Sequence, residues 1–320
     1  MSSVIGWIRK NSRAFVAWLP SSVDRRVRVA AWVTFAVQTG IVVTGGAVRL
    51  TASGLGCPTW PKCTADSLVN TSEMGIHGVI EFGNRMLTFV LVLVAIAAFV
   101  LIIRMRKQRR DLFWLTVLIG LGIPAQAIIG GISVRTNLNP YVVGFHFVVS
   151  IALIVLSTVL VFRVYRGNAS RMWAVSPGVV WVAWLMATFQ AVTLGFGILT
   201  TGSGPHAGDA DAPRNGLDSD LLQRIHSYPA YVALGLAALL LALSIARKRG
   251  GLRKAAIALI GINIAQVVVG ISQSRLGLPE ILVGVHMLLA CLVSAAVTLV
   301  LLNLRNPAAS ESVEQASVKR

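Results

Sequence analysis

The chain has 320 residues, 55% hydrophobic and 13% charged, with a mean hydropathy of +0.74 and a net charge of +17. That composition excludes an ordinary soluble globular protein, in which about a quarter of the residues are charged. The positive charge is not a nucleic-acid footprint: 22 of the 29 Lys and Arg lie in residues 9–28, 104–110, 163–171, 247–254 and 305–320. These are alternate loops and the two termini. The positive-inside rule therefore puts both termini in the cytoplasm.

Residues 1–27 read as a cytoplasmic, interfacial segment, with Trp7, Phe15 and Trp18 set among arginines. No cleavable signal is expected, because the first apolar run is too long. Eight apolar runs follow, at 28–48, 78–103, 112–133, 141–163, 178–200, 222–246, 254–273 and 281–303. Each is close to the roughly 20 residues that cross a bilayer. Backbone groups in lipid must satisfy one another, so each run is expected to be a helix. The expected fold is an all-α integral membrane protein whose eight transmembrane helices form two tandem, parallel-repeat four-helix bundles. The bundles cover 28–163 and 178–303, with a cytoplasmic linker at 164–177. Residues 304–320 read as a disordered cytoplasmic tail.

The duplication is visible in the letters. AQAIIG and VGFH within 125–146 recur as AQVVVG and VGVH within 265–286. At that offset of 140, Gln126 matches Gln266, Gly130 matches Gly270 and His146 matches His286. LTASG at 50–54 matches TTGSG at 200–204. Aligning EFGNR with QRIHS sets Glu81 against Gln223 and Asn84 against His226. Each half begins on the cytoplasmic side, so the repeat is parallel rather than inverted.

Four of the five histidines, His77, His146, His226 and His286, stand near the outer ends of even-numbered spans and so share one leaflet. His206 falls in an outer loop and reads as solvated. Histidines on facing helices of a four-helix bundle can ligate a heme iron axially, and neighbouring glycines let a flat macrocycle approach. His226 and His286 read as a permanent heme site. Zinc is the rival metal, but it needs three or four converging ligands. Of the 12 acidic residues, Glu81 alone lies inside a span. His77, Glu81, Asn84 and Arg85 share one helical face. Glu81 and Arg85 read either as an ion pair that fixes packing or as chemistry. The second reading is favoured because Gln223 and Ser227 stand at the matching positions. Cys57 and Cys63, in GLGCPTWPKC, fall on the oxidising side, where disulfides form. A structural bridge and a redox pair are both compatible. Cys291 reads as apolar packing.

Over about residues 28–303 these features together resemble the heme A synthases: the duplicated bundle, GLGCPTWPKC, IEFGNR and the four histidines. The resemblance implies oxidation of the C8 methyl of heme O to a formyl group, by two hydroxylations and loss of water, giving heme A for terminal oxidases. It implies heme b in the second half on His226 and His286. It implies heme O as substrate in the first half, at His146, His77, Asn84 and Arg85, with Glu81 as the essential carboxylate. Paired outer cysteines also occur in many members. A heme O synthase is the expected substrate donor, the electron donor is unassigned, and a homo-oligomer is compatible. One departure matters. Members of the family read E-x-x-H-R, whereas this chain carries Asn84 where the histidine is expected. Either His77, seven residues earlier on the same face and about 10 Å along the axis, supplies the second ligand, which is the favoured reading, or His146 alone holds the substrate iron.

Two other classes compete with this resemblance. A di-heme b electron-transfer cytochrome accounts for the histidines but leaves Glu81 and the cysteine loop without a role. A transporter built on broken helices has only Pro124 as a mid-span proline of note.

Overall fold

The computed structural model describes residues 16–167 and 171–307. Trp7, Phe15 and the tail beyond residue 307 lie outside the described residues. Among the described residues eight helices are long and apolar enough to cross a membrane. They are α1 (Arg25–Leu50), α2 (Gly75–Ile103), α3 (Arg110–Arg135), α4 (Pro140–Val164), α5 (Pro177–Ser203), α6 (Ser219–Ala246), α7 (Gly250–Arg275) and α8 (Glu280–Leu302). Most run a few residues beyond the apolar stretches at one or both ends, because polar caps belong to the helix but not to the apolar pattern. The Asp24 carboxylate accepts the Val27 N–H at the start of α1. Asn139 caps α4, with Pro140 in its first turn. Asp218 accepts two amides at the head of α6. These groups satisfy backbone donors that a helix start leaves open. Helices α3 and α6 continue through Pro124 and Pro229, so neither is broken at mid-membrane.

Contacts divide the helices into two rings. In the first, α1 packs on α2 and α4, and α3 packs on α2 and α4. In the second, α5 packs on α6 and α8, and α7 packs on α6 and α8. The rings meet where α4 and α1 pack on α8 and α4 packs on α5. Large side chains including Trp181, Ile281, Leu93 and Phe89 are exposed around the outside, as a lipid-facing surface requires.

Packing is uneven along the membrane normal. At the basic end, Leu112, Ile119, Ile102 and Leu160 close the first ring, and Met186, Leu240, Leu259 and Val300 close the second. Val42, Ile151, Ile154 and Cys291 seal the seam between the rings, so Cys291 is packing as expected. The opposite, histidine end is open inside. A strand β1 (Arg171–Trp173) pairs antiparallel with β2 (Arg305–Pro307). The segment just after α8, expected to be disordered, is thus tied to the linker between halves for three residues.

Candidate functional site

The four histidine-level positions share one local design. On α6, His226 Nδ1 contacts the Thr193 carbonyl of α5 at 2.8 Å. A carbonyl only accepts, so Nδ1 carries the proton and Nε2 keeps its lone pair for a metal. A Cβ placed on Gly197 of α5 would lie 2.9 Å from the His226 ring. On α8, His286 stands against Gly270 of α7, with the same distance 3.2 Å. On α4, His146 stands against Gly130 of α3 at 3.4 Å. On α2, the position facing Gly45 of α1 holds the Asn84 amide, at 3.9 Å. Each ring therefore pairs an even-helix side chain with an odd-helix glycine twice.

The His226 and His286 ring centroids are 6.3 Å apart, with planes at 60°. The Nδ1 atoms of His146 and His286 are buried without hydrogen-bond partners. Gln126 and Gln266 each donate to the carbonyl of the histidine on the next helix, at 3.1 Å in both halves. These glutamines fix the height of the histidine-bearing turns. Among the described residues no three or more His, Cys, Asp or Glu converge to hold a metal ion. Paired imidazoles with glycine clearance suit a heme, whereas tetrahedral zinc would need a third ligand.

Glu81 is buried and lies one turn outward from Asn84 on α2. One carboxylate oxygen accepts the Cys57 N–H at 2.9 Å, and the other accepts Arg85 Nε and Nη2 at 3.1 and 2.5 Å. Arg85 spends its remaining donors on the carbonyls of Cys57, Thr59 and Lys62. The Glu81–Arg85 ion pair anticipated from spacing is present, and it also clamps the outer loop onto α2. Cys57 and Cys63 form a disulfide within that loop. Trp60 fills the space beside Gly131 of α3, where a Cβ would lie 2.4 Å from its ring. The Gly54 N–H reaches the Gly208 carbonyl at 2.7 Å, joining the outer loops of the two halves.

Beneath these loops lies a cavity of about 1940 Å³, reached from both halves and lined by Glu81, Asn84, Arg85, His146, His226 and His286. Pockets for one small ligand run to about 300–1,000 Å³, so this volume has room for two. Arg49 of α1 also lines it, donates to the Thr201 carbonyl of α5 at 2.7 Å, and buries its Nε without a partner.

Two histidines differ from expectation. His77 is exposed, contacts Ser53 Oγ at 2.9 Å and does not line the cavity. The turn that carries it is held against the loop at Gly56, where a Cβ would meet the His77 carbonyl at 2.2 Å, so it anchors the loop root. His206, expected to be solvated, is partly buried and contacts the Leu278 carbonyl at 2.9 Å. The close link between the two outer loops explains its burial. Gly45, Gly197, Thr44, Thr193 and Arg49 were not anticipated. The small residues among them were legible only once the helix pairs were known.

A family model of cytochrome oxidase assembly proteins, COX15-CtaA, matches residues 28–298. The heme A synthases of Listeria welshimeri and Listeria monocytogenes are each 34% identical to this chain over 154 residues, covering 45% of this chain and 48% of theirs. The heme A synthase of Bacillus cereus is 27% identical over 132 residues, covering 41% and 40%. The matched stretch spans about half the length, or less, of these curated relatives. The family match extends over all eight helices, and on it the chain belongs to the COX15-CtaA family of cytochrome oxidase assembly proteins.

Proposed function

We propose that this protein is a heme A synthase, an oxidoreductase that converts the C8 methyl of heme O to a formyl group. The observation that carries the reading is an asymmetry. The first-half cavity wall holds one buried carboxylate, Glu81, where the second half presents Gln223. A bundle of this kind is built without an acid in one half, so helix packing alone does not call for Glu81, and beyond its clamp on the outer loop the acid is read as chemistry.

In this reading His146 holds the iron of heme O. His226 and His286 hold a heme b, which when bound supplies one-electron transfer. Three hydrogen bonds fix the Glu81 carboxylate at the cavity wall. A fixed anion there would stabilise positive charge developing near the reacting methyl or accept a proton released there. The buried, unpaired Arg49 Nε suits a carboxylate of a macrocycle propionate. The disulfide-closed loop, pinned by Arg85 and Trp60, excludes water from that end of the cavity. The His77 side chain lies away from the cavity and is left out of the ligand set. The protein would sit in the cell membrane with both termini cytoplasmic, take heme O from a heme O synthase, and receive electrons from a separate donor.

Glu81→Gln keeps the shape and one of the two acceptor oxygens, and sets an NH2 donor in place of the other. Produced together with a heme O synthase, this variant is expected to retain its heme content and accumulate heme O or the hydroxymethyl heme. Extraction and mass analysis of the hemes reads the result, and an undiminished heme A yield rejects the assignment of Glu81.

A further inference from the structure

The two rings offer four equivalent positions, and three are filled by imidazoles while one is filled by a carboxamide. His146, His226 and His286 each face a glycine on the neighbouring helix, and Asn84 faces Gly45 in the same way. Asn84 is thus the geometric counterpart of an axial ligand. A neutral carboxamide nitrogen has no lone pair to give a metal. Its oxygen, a weak ligand beside an imidazole, already accepts Thr44 Oγ at 2.8 Å, and the amide nitrogen is the atom nearest Gly45.

Among the described residues nothing nearby replaces the missing imidazole. His77 is exposed and engaged with Ser53. Glu81 is committed to Cys57 and Arg85. The Met287 thioether packs against Gly46, on the seam with α8. We infer that a heme in the first half has a single protein ligand, His146, and an open coordination position on the Asn84 side, where small exogenous ligands bind under the Asn84 amide. The inference rests on reading this cavity as a heme site. The second half, with two imidazoles, has no such opening.

The test uses the full chain purified in detergent, loaded with heme b, reduced and exposed to carbon monoxide. The expected result is two hemes. One is low-spin, depends on His226 and His286, and ignores carbon monoxide. The other is high-spin, depends on His146 and binds it, so roughly half of the heme responds. Asn84→His should convert the responsive heme to a low-spin, unresponsive one. Asn84→Ala should keep it responsive but release carbon monoxide several-fold faster, because the amide donor is gone. His77→Ala should change neither spectrum. A wild-type protein whose hemes are all low-spin and inert overturns the inference, as does a low-spin state that His77→Ala or Met287→Ala abolishes. A responsive heme in a chain that makes no heme A removes the proposed function and leaves this site standing. A chain that makes heme A with an inert first-half heme does the reverse. Absence of any His146-dependent heme overturns both.

Discussion

At the level of single residues, the second-half site rests on close approaches of Gly197 and Gly270 to the histidine rings. Gly197 is the tightest of the four glycine–ligand pairs. Gly197→Ala pushes a methyl into the His226 ring and away from its bond to Thr193. Overpacking of this kind costs about 1–3 kcal/mol. The expected outcome is loss of the low-spin heme b signal, while the His146-dependent heme remains; an unchanged spectrum would show that the ring is free to move. Glu81 carries a different burden, since its carboxylate is the acceptor for Cys57 and Arg85 together. Glu81→Ala leaves the Cys57 N–H and Arg85 Nε without their acceptor, a loss of about 1–3 kcal/mol. It should therefore lower thermal stability, and by more than Glu81→Gln, which keeps one acceptor oxygen. Wild-type melting temperatures in both variants would mean that the clamp does not depend on the charge. The histidines, the acid and the cysteines were legible because such residues are expensive in lipid and therefore conspicuous. Gly45, Gly197 and Thr193 were not, because small residues are common in membrane helices and gain meaning only from what lies opposite.

At the level of elements, α2 and its outer loop behave as one unit. The chain was read correctly as eight spans, since apolar length alone decides that in a bilayer. The loop was harder, because nothing local in GLGCPTWPKC shows that Arg85 will collect three of its carbonyls or that Trp60 will seat beside Gly131. Those are contacts between segments more than 20 residues apart, set by how α2 and α3 pack. The same packing explains why His77, on the face shared with Glu81, anchors the loop instead of lining the cavity. The disulfide closes a short loop, so its contribution is about 2 kcal/mol. Replacing Cys57 and Cys63 with serine should lower the melting temperature yet leave the loop seated through Arg85 and Trp60. Gly131→Leu should unseat Trp60 and open the cavity to water with the disulfide intact. Proteolysis of the loop and product yield, measured on both variants, separate the two roles: a greater loss of product in the serine variant would favour a redox function for the cysteines.

At the level of the whole molecule, two similar rings are made unequal. Both keep the glycine–ligand pairs and the glutamine that braces the histidine turn. The first adds Glu81, Arg85 and the disulfide loop, and substitutes Asn84 for an imidazole. Arg49 crosses from α1 to the Thr201 carbonyl of α5, so the two cavities share a cation at the histidine end. Arg49→Ala should weaken heme retention in the purified protein, and Arg49→Lys should restore part of it; equal retention in all three would remove Arg49 from the binding site. His226→Ala with His286→Ala should abolish the low-spin heme while the chain still folds, because the packed cores at the basic end do not involve these side chains.

The central claim is that the first-half cavity oxidises heme O. The most direct measurement is extraction and mass analysis of hemes from membranes that make a heme O synthase with and without this chain. The account predicts heme A, or its hydroxymethyl precursor, only where the chain is present. Finding only heme b and unaltered heme O, in folded and heme-loaded protein supplied with electron donors, would contradict it.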